Sequence, residues 1–164
     1  MNNRETVQAL LDVVQQGDLE YAKTMLADGF RFSGPVPQPL NATAWLHMSA
    51  SLMAAFPDLD YQFKVTGVVG NVVSSTAQLR GTHTGDFDLT SMMDMGVIPA
   101  THKSFAARLQ KTTITVEEGK ITAWAVEPTE GAGLMAILQQ LDIYITDIVR
   151  SRELWPIKSM VEIE

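Results

Sequence analysis

The groups in this chain that could act as a general acid or base are carboxylates and imidazoles, and two glutamates follow its last predicted strand. Glu127 comes directly after Val126, so on a regular strand its side chain lies on the opposite face. A bulge could turn Glu127 inward, but we favour a position at a rim or in solvent. Glu130 has the same limitation and lies in a predicted loop. Glu127 is therefore a candidate for acid/base chemistry that depends on local backbone geometry.

Three histidines could also carry protons or bind a metal ion. His83 lies in Gly-Thr-His-Thr-Gly at a strand end, where we predict a structural turn residue, with catalysis as the alternative. We predict that His102 is a solvated loop residue and that His47 is exposed, since it lies off the apolar face of its helix. The chain has no cysteine and no His-x-His or His-x-x-x-His spacing, so we expect no metal site.

Arg108 is the third catalytic candidate, after Glu127 and His83. Arg108, Gln110 and Thr112 alternate along one predicted strand and would share a face, and Trp124 and Val126 share a face of the last strand. A guanidinium group at a pocket mouth could hold a carboxylate or enolate oxygen in a bidentate manner. The alternative is that Arg108 pairs with surface acids. The catalytic residue itself is left unassigned.

Helical and strand periodicities predict the elements that must position these residues. Four helices are predicted: residues 5–15, 18–27 with Gly29 as the stop, a third that begins after Asn41 or Thr43 and ends at Pro57, and 133–150. Strands rich in Val, Thr, Ile and aromatic residues are predicted at 30–32, 61–69, 71–81, 104–116 and 121–127. Helices followed by antiparallel strands and a closing helix are typical of an α+β fold with helices on one face of a sheet.

The segment 82–103 is too long for a hairpin turn and contains Met92, Met93 and Met95. Methionine side chains suit irregular apolar walls, so this segment could form a lid over a pocket, although methionine is more often core filler.

Four segments in this order resemble the SnoaL-like polyketide cyclases of the nuclear-transport-factor-2-like superfamily. They are Phe56-Pro-Asp-Leu59, Leu79-Arg-Gly-Thr-His-Thr-Gly-Asp-Phe87, Gly96-Val-Ile-Pro-Ala-Thr-His-Lys103 and Ile114-Thr-Val-Glu-Glu-Gly-Lys-Ile121, followed by the leucine-rich 134–141. The resemblance covers about residues 5–141 of what we expect to be one domain, 1–164, with 142–164 as a C-terminal extension. It implies a conical, strongly curved antiparallel sheet wrapped around N-terminal helices (a cystatin-like roll) with a deep pocket, commonly in dimers.

The resemblance also locates the family's catalytic positions. The histidine and aspartate of the family's cyclases fall near Thr112 and Val126, whereas a pocket glutamine is retained as Gln110. An aldol-type cyclisation needs one group that removes a proton beside a carbonyl and another that stabilises the oxyanion. Threonine and valine do neither well, so we do not expect ordinary polyketide cyclase activity.

Strand alternation and the resemblance together predict an apolar ligand-binding pocket. Its predicted lining is Trp45, Met48, Leu52, Phe56, Arg108, Gln110, Thr112, Trp124 and Val126. We predict a protein that binds a small apolar or polycyclic molecule without a cofactor. The alternative is a cofactor-independent cyclase or isomerase acting on a ketone-bearing or polycyclic substrate. A hydrolase would need an Asp-Arg-Asp trio, for which Asp58, Asp60 and Arg80 show no suitable spacing.

Composition limits the partners. The formal net charge is −7 and no basic cluster occurs, so nucleic acid is not expected to bind. No apolar run approaches 18 residues and the N-terminus has no long apolar core, so we expect neither a membrane span nor a secretory signal, and a cytoplasmic location follows as the default. Phe105, Ala107 and Leu109 would face away from Arg108 and Gln110, and covering both sets predicts a homodimer.

Overall fold

The computed structural model describes residues 1–34, 36, 38–90 and 96–143. Its first helix, α1 (Asn3–Gln16), begins at a capping box in which Asn2 and Glu5 bond each other's backbone N–H groups. The helix ends at Gly17, whose positive φ of 82° suits glycine. A second helix, α2 (Leu19–Met25), is capped by Asp18, as predicted. The apolar side of α1 is buried through Val7, Leu10, Leu11 and Val14.

The third helix, α3 (Ala42–Ala55), starts at Asn41 rather than Thr43, because the Asn41 side chain accepts a hydrogen bond from Ala44 N–H (2.9 Å). It ends before Phe56 and Pro57, as predicted. A short fourth helix, α4 (Leu134–Gln140), follows the strands. The predicted helix 133–150 is therefore too long: it ends at Gln140, and Asp142 has a positive φ of 60°, which does not continue a right-handed helix. Residues 144–150 lie outside the described residues, as do Met92, Met93 and Met95.

A five-stranded sheet carries the fold. Its strands in chain order are β1 (Leu26–Ser33), β2 (Lys64–Val69), β3 (Val72–Ala77), β8 (Gln110–Glu117) and β9 (Lys120–Val126), and their spatial order is β1-β9-β8-β3-β2. Two small pairs extend it: β4 (Arg80–Thr82) with β7 (Ser104–Ala106), and β5 (Phe87–Asp88) with β6 (Val97–Ile98). The register shifts within the β1–β9, β2–β3 and β8–β9 pairs. Such bulges bend and twist strands, which suits a sheet that wraps around helices.

The α+β class and the curved sheet are confirmed, with one difference in strand direction. Pairs within β2, β3, β8 and β9 are antiparallel, but β1 runs parallel to β9, so the sheet is mixed. A chain that leaves α2 directly into an edge strand can pair in this direction, because α3 and seven strands, three of them in the same sheet, intervene before β9. Gly29 is not a helix stop: α2 already ends at Met25, and Gly29 lies inside β1.

The predicted strand 104–116 is interrupted, and the interruption changes which side chains share a face. β7 ends at Ala106 and β8 begins at Gln110, with Ala107–Leu109 in irregular conformation between them. Phe105 and Ala107 are buried, yet so are Gln110 and Thr112, whereas Arg108 and Leu109 are exposed. The alternation therefore shifts by one residue at this break, and Phe105 and Ala107 need no cover from a partner.

Helices α1 and α3 lie on the inner side of the sheet. α1 contacts β2, β3 and β8, and α3 contacts β1 and β5. The core between them includes Phe30, Trp45, Ile114 and Ile121. No helix within the described ranges has the length and apolar character needed to cross a membrane.

Candidate functional site

A cavity of about 590 Å³ lies between the sheet and helices α1 and α3, with the segment 129–137 along one side. Most of its lining is apolar. The helices contribute Val14, Trp45, Met48, Ser49 and Leu52; the strands and adjoining segments contribute Phe32, Tyr61, Phe63, Ala77, Leu79, Gln110, Thr112, Trp124 and Val126. Gln110 and Thr112 are two positions apart on β8, and Trp124 and Val126 are two positions apart on β9. The pleat of each strand therefore directs both members of a pair to the same side of the sheet.

Aromatic rings form a continuous wall of this cavity. Trp124 lies at the centre, with ring centroids 5.4 Å from Trp45, 5.9 Å from Phe63 and 6.2 Å from Phe32. Tyr61 stacks on Phe63 at 4.7 Å with an interplanar angle of 9°. Such rings offer large, flat contact areas to a ligand.

Two polar groups in this wall are buried without a partner among the described residues: the Tyr61 hydroxyl and Trp124 Nε1. Burial raises the pKa of the Tyr61 phenol above its ordinary value, so the group is a neutral O–H at physiological pH. The Ser75 and Thr112 hydroxyls, by contrast, are hydrogen-bonded to each other at 2.5 Å. Some of the polar groups around the cavity are therefore hydrogen-bonded within the protein, and others have no protein partner among the described residues.

Thr112 and Val126 are directly paired across β8 and β9, and both line the cavity. On an antiparallel pair, side chains that stand opposite each other lie on the same face within about 4.5–5.5 Å at Cβ. A histidine and an aspartate at these two positions would be close enough to work together. In this chain the two positions hold a hydroxyl that is bonded to Ser75 and an isopropyl group.

Seven of the nine residues predicted to form the pocket line the cavity: Trp45, Met48, Leu52, Gln110, Thr112, Trp124 and Val126. Phe56 and Arg108 do not. Phe56 is fully buried in a separate cluster with Phe87, Phe105 and His83, because the end of α3 turns it toward β4, β5 and β7.

Arg108 is exposed, since the break between β7 and β8 places it out of phase with Gln110. Its backbone N–H donates to Gly131 O (3.0 Å), and its side chain lies along the Cα of Gly131. The prediction that Arg108 shares the pocket face with Gln110 and Thr112 is therefore wrong. Gly131 lines the cavity, whereas Arg108 is not among the lining residues.

Glu127 is also exposed and is not among the cavity-lining residues. Its backbone N–H donates to Lys111 O (2.8 Å), which continues the strand ladder past Val126 and keeps regular alternation. Glu130, three residues later, is exposed as well, but it does line the cavity. Sequence alternation did not single it out, because loop residues have no periodicity from which their direction can be read.

His83 is fully buried and lies outside the cavity. Its Nδ1 accepts from the Thr101 backbone N–H (3.2 Å) and lies 2.9 Å from Thr101 Oγ1, while Nε2 has no partner among the described residues. Its ring contacts Phe56 and Phe87. These contacts agree with a structural role at the strand end, and His47 and His102 are both exposed, as predicted.

Asp58, Asp60 and Arg80 lie closer together than their spacing suggested. Arg80 Nη2 donates to Asp60 Oδ2 (3.1 Å), and Thr82 N–H donates to Asp58 Oδ1 (2.7 Å), which lowers the pKa of that carboxyl group. None of these three residues is in the cavity lining. Their contacts instead join the segment 58–60 to β4, where Asp60 and Arg80 also form a β-bridge. Over the described ranges, no three His, Asp or Glu side chains are grouped as metal ligands.

Comparisons with solved structures agree on this architecture. A SnoaL-like protein from Jannaschia sp. CCS1 is 23% identical, with 76% of this chain and 83% of that chain covered and a TM-score of 0.59. IdmH from Streptomyces antibioticus is 20% identical, with 87% and 100% covered and a TM-score of 0.64. A Catenulispora acidiphila protein with a ketosteroid isomerase-like fold, solved with trimethylamine, is 14% identical, with 85% and 94% covered and a TM-score of 0.60.

At these identities the structural likeness establishes the fold alone. No curated protein matches the chain by sequence. The family model for SnoaL-like polyketide cyclases, however, matches residues 4–141, which include every strand described above and the four helices apart from Asn3 at the start of α1. The chain therefore belongs to the SnoaL-like polyketide cyclase family.

Proposed function

We propose that this protein binds a small, largely apolar molecule in the cavity and does not use the family's histidine–aspartate proton transfer. The observation that carries the proposal is the pairing of Thr112 with Val126 on the cavity wall. An alcohol is a poor base at neutral pH and an alkyl group has no proton to give. General acid–base catalysis typically supplies about 10²–10⁴-fold in rate, and neither side chain supplies it.

The size and lining of the cavity support the binding part of the proposal. A volume of about 590 Å³ falls within the roughly 300–1,000 Å³ that ligand pockets usually have. Five aromatic rings line it, and the polar groups among them are few, which favours a ligand with flat apolar surfaces.

Binding is tested by titration with Nile red, a neutral apolar dye, followed by the rise in its fluorescence. We expect saturable binding that weakens in Ala77→Leu, because Ala77 is buried, lines the cavity, and would gain three carbon atoms there. Ala50→Leu is the matched control, since Ala50 is exposed on α3 and does not line the cavity. Equal weakening in both variants, or no saturable binding at all, would contradict the proposal.

The chemistry is tested by restoring the missing pair. We expect the unmodified protein to leave an aromatic β-keto ester uncyclised, and Thr112→His with Val126→Asp to raise the rate, while neither change alone does so. The reason is that the base and the group that orients it act as a unit across the β8–β9 pair. The measurement is product formation by liquid chromatography.

A cofactor-independent cyclase or isomerase remains the second candidate, and the observation that favours it is Glu130 on the cavity lining. A carboxylate there could remove a proton from a bound ketone. If the unmodified protein does turn over the keto ester, Glu130→Gln separates the two functions. Loss of turnover in Glu130→Gln but not in the exposed Glu127→Gln would replace the binding proposal with this one.

A further inference from the structure

Ser49 is a polar residue on the buried face of α3. It lies between Trp45 and Leu52 on the stripe that faces the sheet, is only 3% exposed, and lines the cavity. A buried helical serine usually bonds the carbonyl oxygen one turn earlier. Ser49 Oγ makes no such bond, and no described residue bonds it. The hydroxyl therefore keeps its hydrogen-bonding capacity free on the cavity wall, and no contact within the described fold accounts for a serine here.

Gln110 supplies a second unused polar group on another wall of the same cavity. The residue is 8% exposed, and its side-chain amide forms no hydrogen bond with the described residues. It differs in this respect from its neighbour on the same face, Thr112, whose hydroxyl bonds Ser75. An amide can both donate and accept, as can a serine hydroxyl. The Gln110 amide and the Ser49 hydroxyl can therefore both form hydrogen bonds with an uncharged oxygen atom of a ligand.

The charges around the cavity restrict the ligand further. Among the described lining residues, Glu130 alone is charged, and no lysine or arginine lines the cavity. An anion would lose its hydration without gaining a counter-charge, which is strongly unfavourable. A neutral oxygen, by contrast, needs only the hydrogen bonds that Ser49 and Gln110 leave free.

We propose that Ser49 and Gln110 form a polar subsite that holds a carbonyl or hydroxyl oxygen of an uncharged ligand, with Ser49 as a specificity-determining residue. The subsite rests on the proposed binding function and adds the ligand's chemical class to it. Trp45 and Trp124 line the same cavity with apolar surface, so the oxygen must be carried by a mainly apolar skeleton.

Two probes of nearly equal shape test the subsite: 9-fluorenone, which carries a carbonyl oxygen, and fluorene, which carries a methylene group at the same place. Equilibrium dialysis gives the Kd of each. We expect the ratio of the fluorene Kd to the fluorenone Kd to fall about threefold to tenfold in Ser49→Ala, the range typical of one lost hydrogen bond. A similar fall is expected in Gln110→Met.

Ser51→Ala is the matched control, because Ser51 lies on the same helix and does not line the cavity. Both serine variants gain the helix propensity of alanine. Only Ser49→Ala also changes the cavity wall, where it replaces a hydroxyl that bonds no described residue, so the Tm of the ligand-free protein should rise at least as much in Ser49→Ala as in Ser51→Ala. A hydroxyl with a structural role would give the opposite order.

The outcomes are separable. If both probes bind but Ser49→Ala leaves their Kd ratio unchanged, the subsite is wrong and the binding function stands. If Ser49→Ala lowers the Tm relative to Ser51→Ala, the hydroxyl serves the fold and the subsite is again wrong. If neither probe nor Nile red binds, the binding function fails and takes the subsite with it.

Discussion

His83 is a residue type that often acts in catalysis, but its contacts in this protein give it a structural role. The Thr101 N–H points at Nδ1, so Nδ1 is an acceptor and the ring proton sits on Nε2 in the neutral form. Burial, the largest effect, lowers the pKa of His83, and the opposing effect of the Asp86 charge is smaller. At neutral pH the imidazole is therefore uncharged in the folded protein.

This pKa shift makes stability depend on pH. Because the folded-state pKa lies below the value of about 6.5 in the unfolded chain, the unfolded state binds more protons as pH falls through 6.5. We expect the free energy of unfolding to decrease between pH 7.5 and pH 5.5, measured by urea denaturation. In His83→Gln the decrease should be smaller. His47→Gln, at an exposed position, is the control, and an equal decrease in His83→Gln and wild type would contradict the assignment.

At the scale of secondary-structure elements, Gly85 allows two backbone segments to lie very close together. Its N–H donates to Ala55 O (3.1 Å), which fastens the chain after β4 to the end of α3. A Cβ on Gly85 would overlap the carbonyl oxygen of Ala54, a backbone atom that has no freedom to move aside. The glycine is thus required by the close approach of two backbones.

Gly85→Ala should therefore lower the free energy of unfolding by about 1–3 kcal/mol, the usual cost of overpacking. The control is Gly29→Ala in β1, where a Cβ would meet nothing within 4 Å. Chemical denaturation of both variants is the measurement. A loss in Gly29→Ala as large as that in Gly85→Ala would show that the close approach is not the cause.

The break at Ala107–Leu109 has the largest functional consequence of any element boundary. Side-chain direction has a period of two on a strand, so one irregular stretch reverses the face of every later residue relative to the earlier ones. It removes Arg108 from the cavity and leaves Gln110 and Thr112 on it. The cavity consequently has no cation among its described lining residues.

At the scale of the whole molecule, the outer face of the sheet remains the surface on which we expect a second copy to dock. Small side chains lie in register across four strands there, with Ser74 opposite Thr113, Thr113 opposite Ala125, and Ala125 opposite Ser33. Such small side chains lose little conformational entropy when a partner covers them.

We expect light scattering to give about twice the chain mass of 18.0 kDa at micromolar concentration. Thr113→Arg should shift the protein to the monomer, because a symmetric interface would bring two copies of the new charge together. Thr43→Arg, at the exposed start of α3, should leave the mass unchanged. A monomer in the unmodified protein would exclude this arrangement.

The sequence by itself determined helices α1 to α3 and most strands, because capping residues, apolar periodicity and hairpin turns act within a few residues of one another. Strand alternation together with the family resemblance predicted seven of the residues on the cavity wall. The parallel β1–β9 pair, the turn of Phe56 into another cluster, the exposure of Arg108 and the placing of Glu130 at the cavity were decided only by the tertiary structure. Each depends on contacts between segments far apart in the chain or on irregular backbone, where side-chain direction follows no period that a sequence displays.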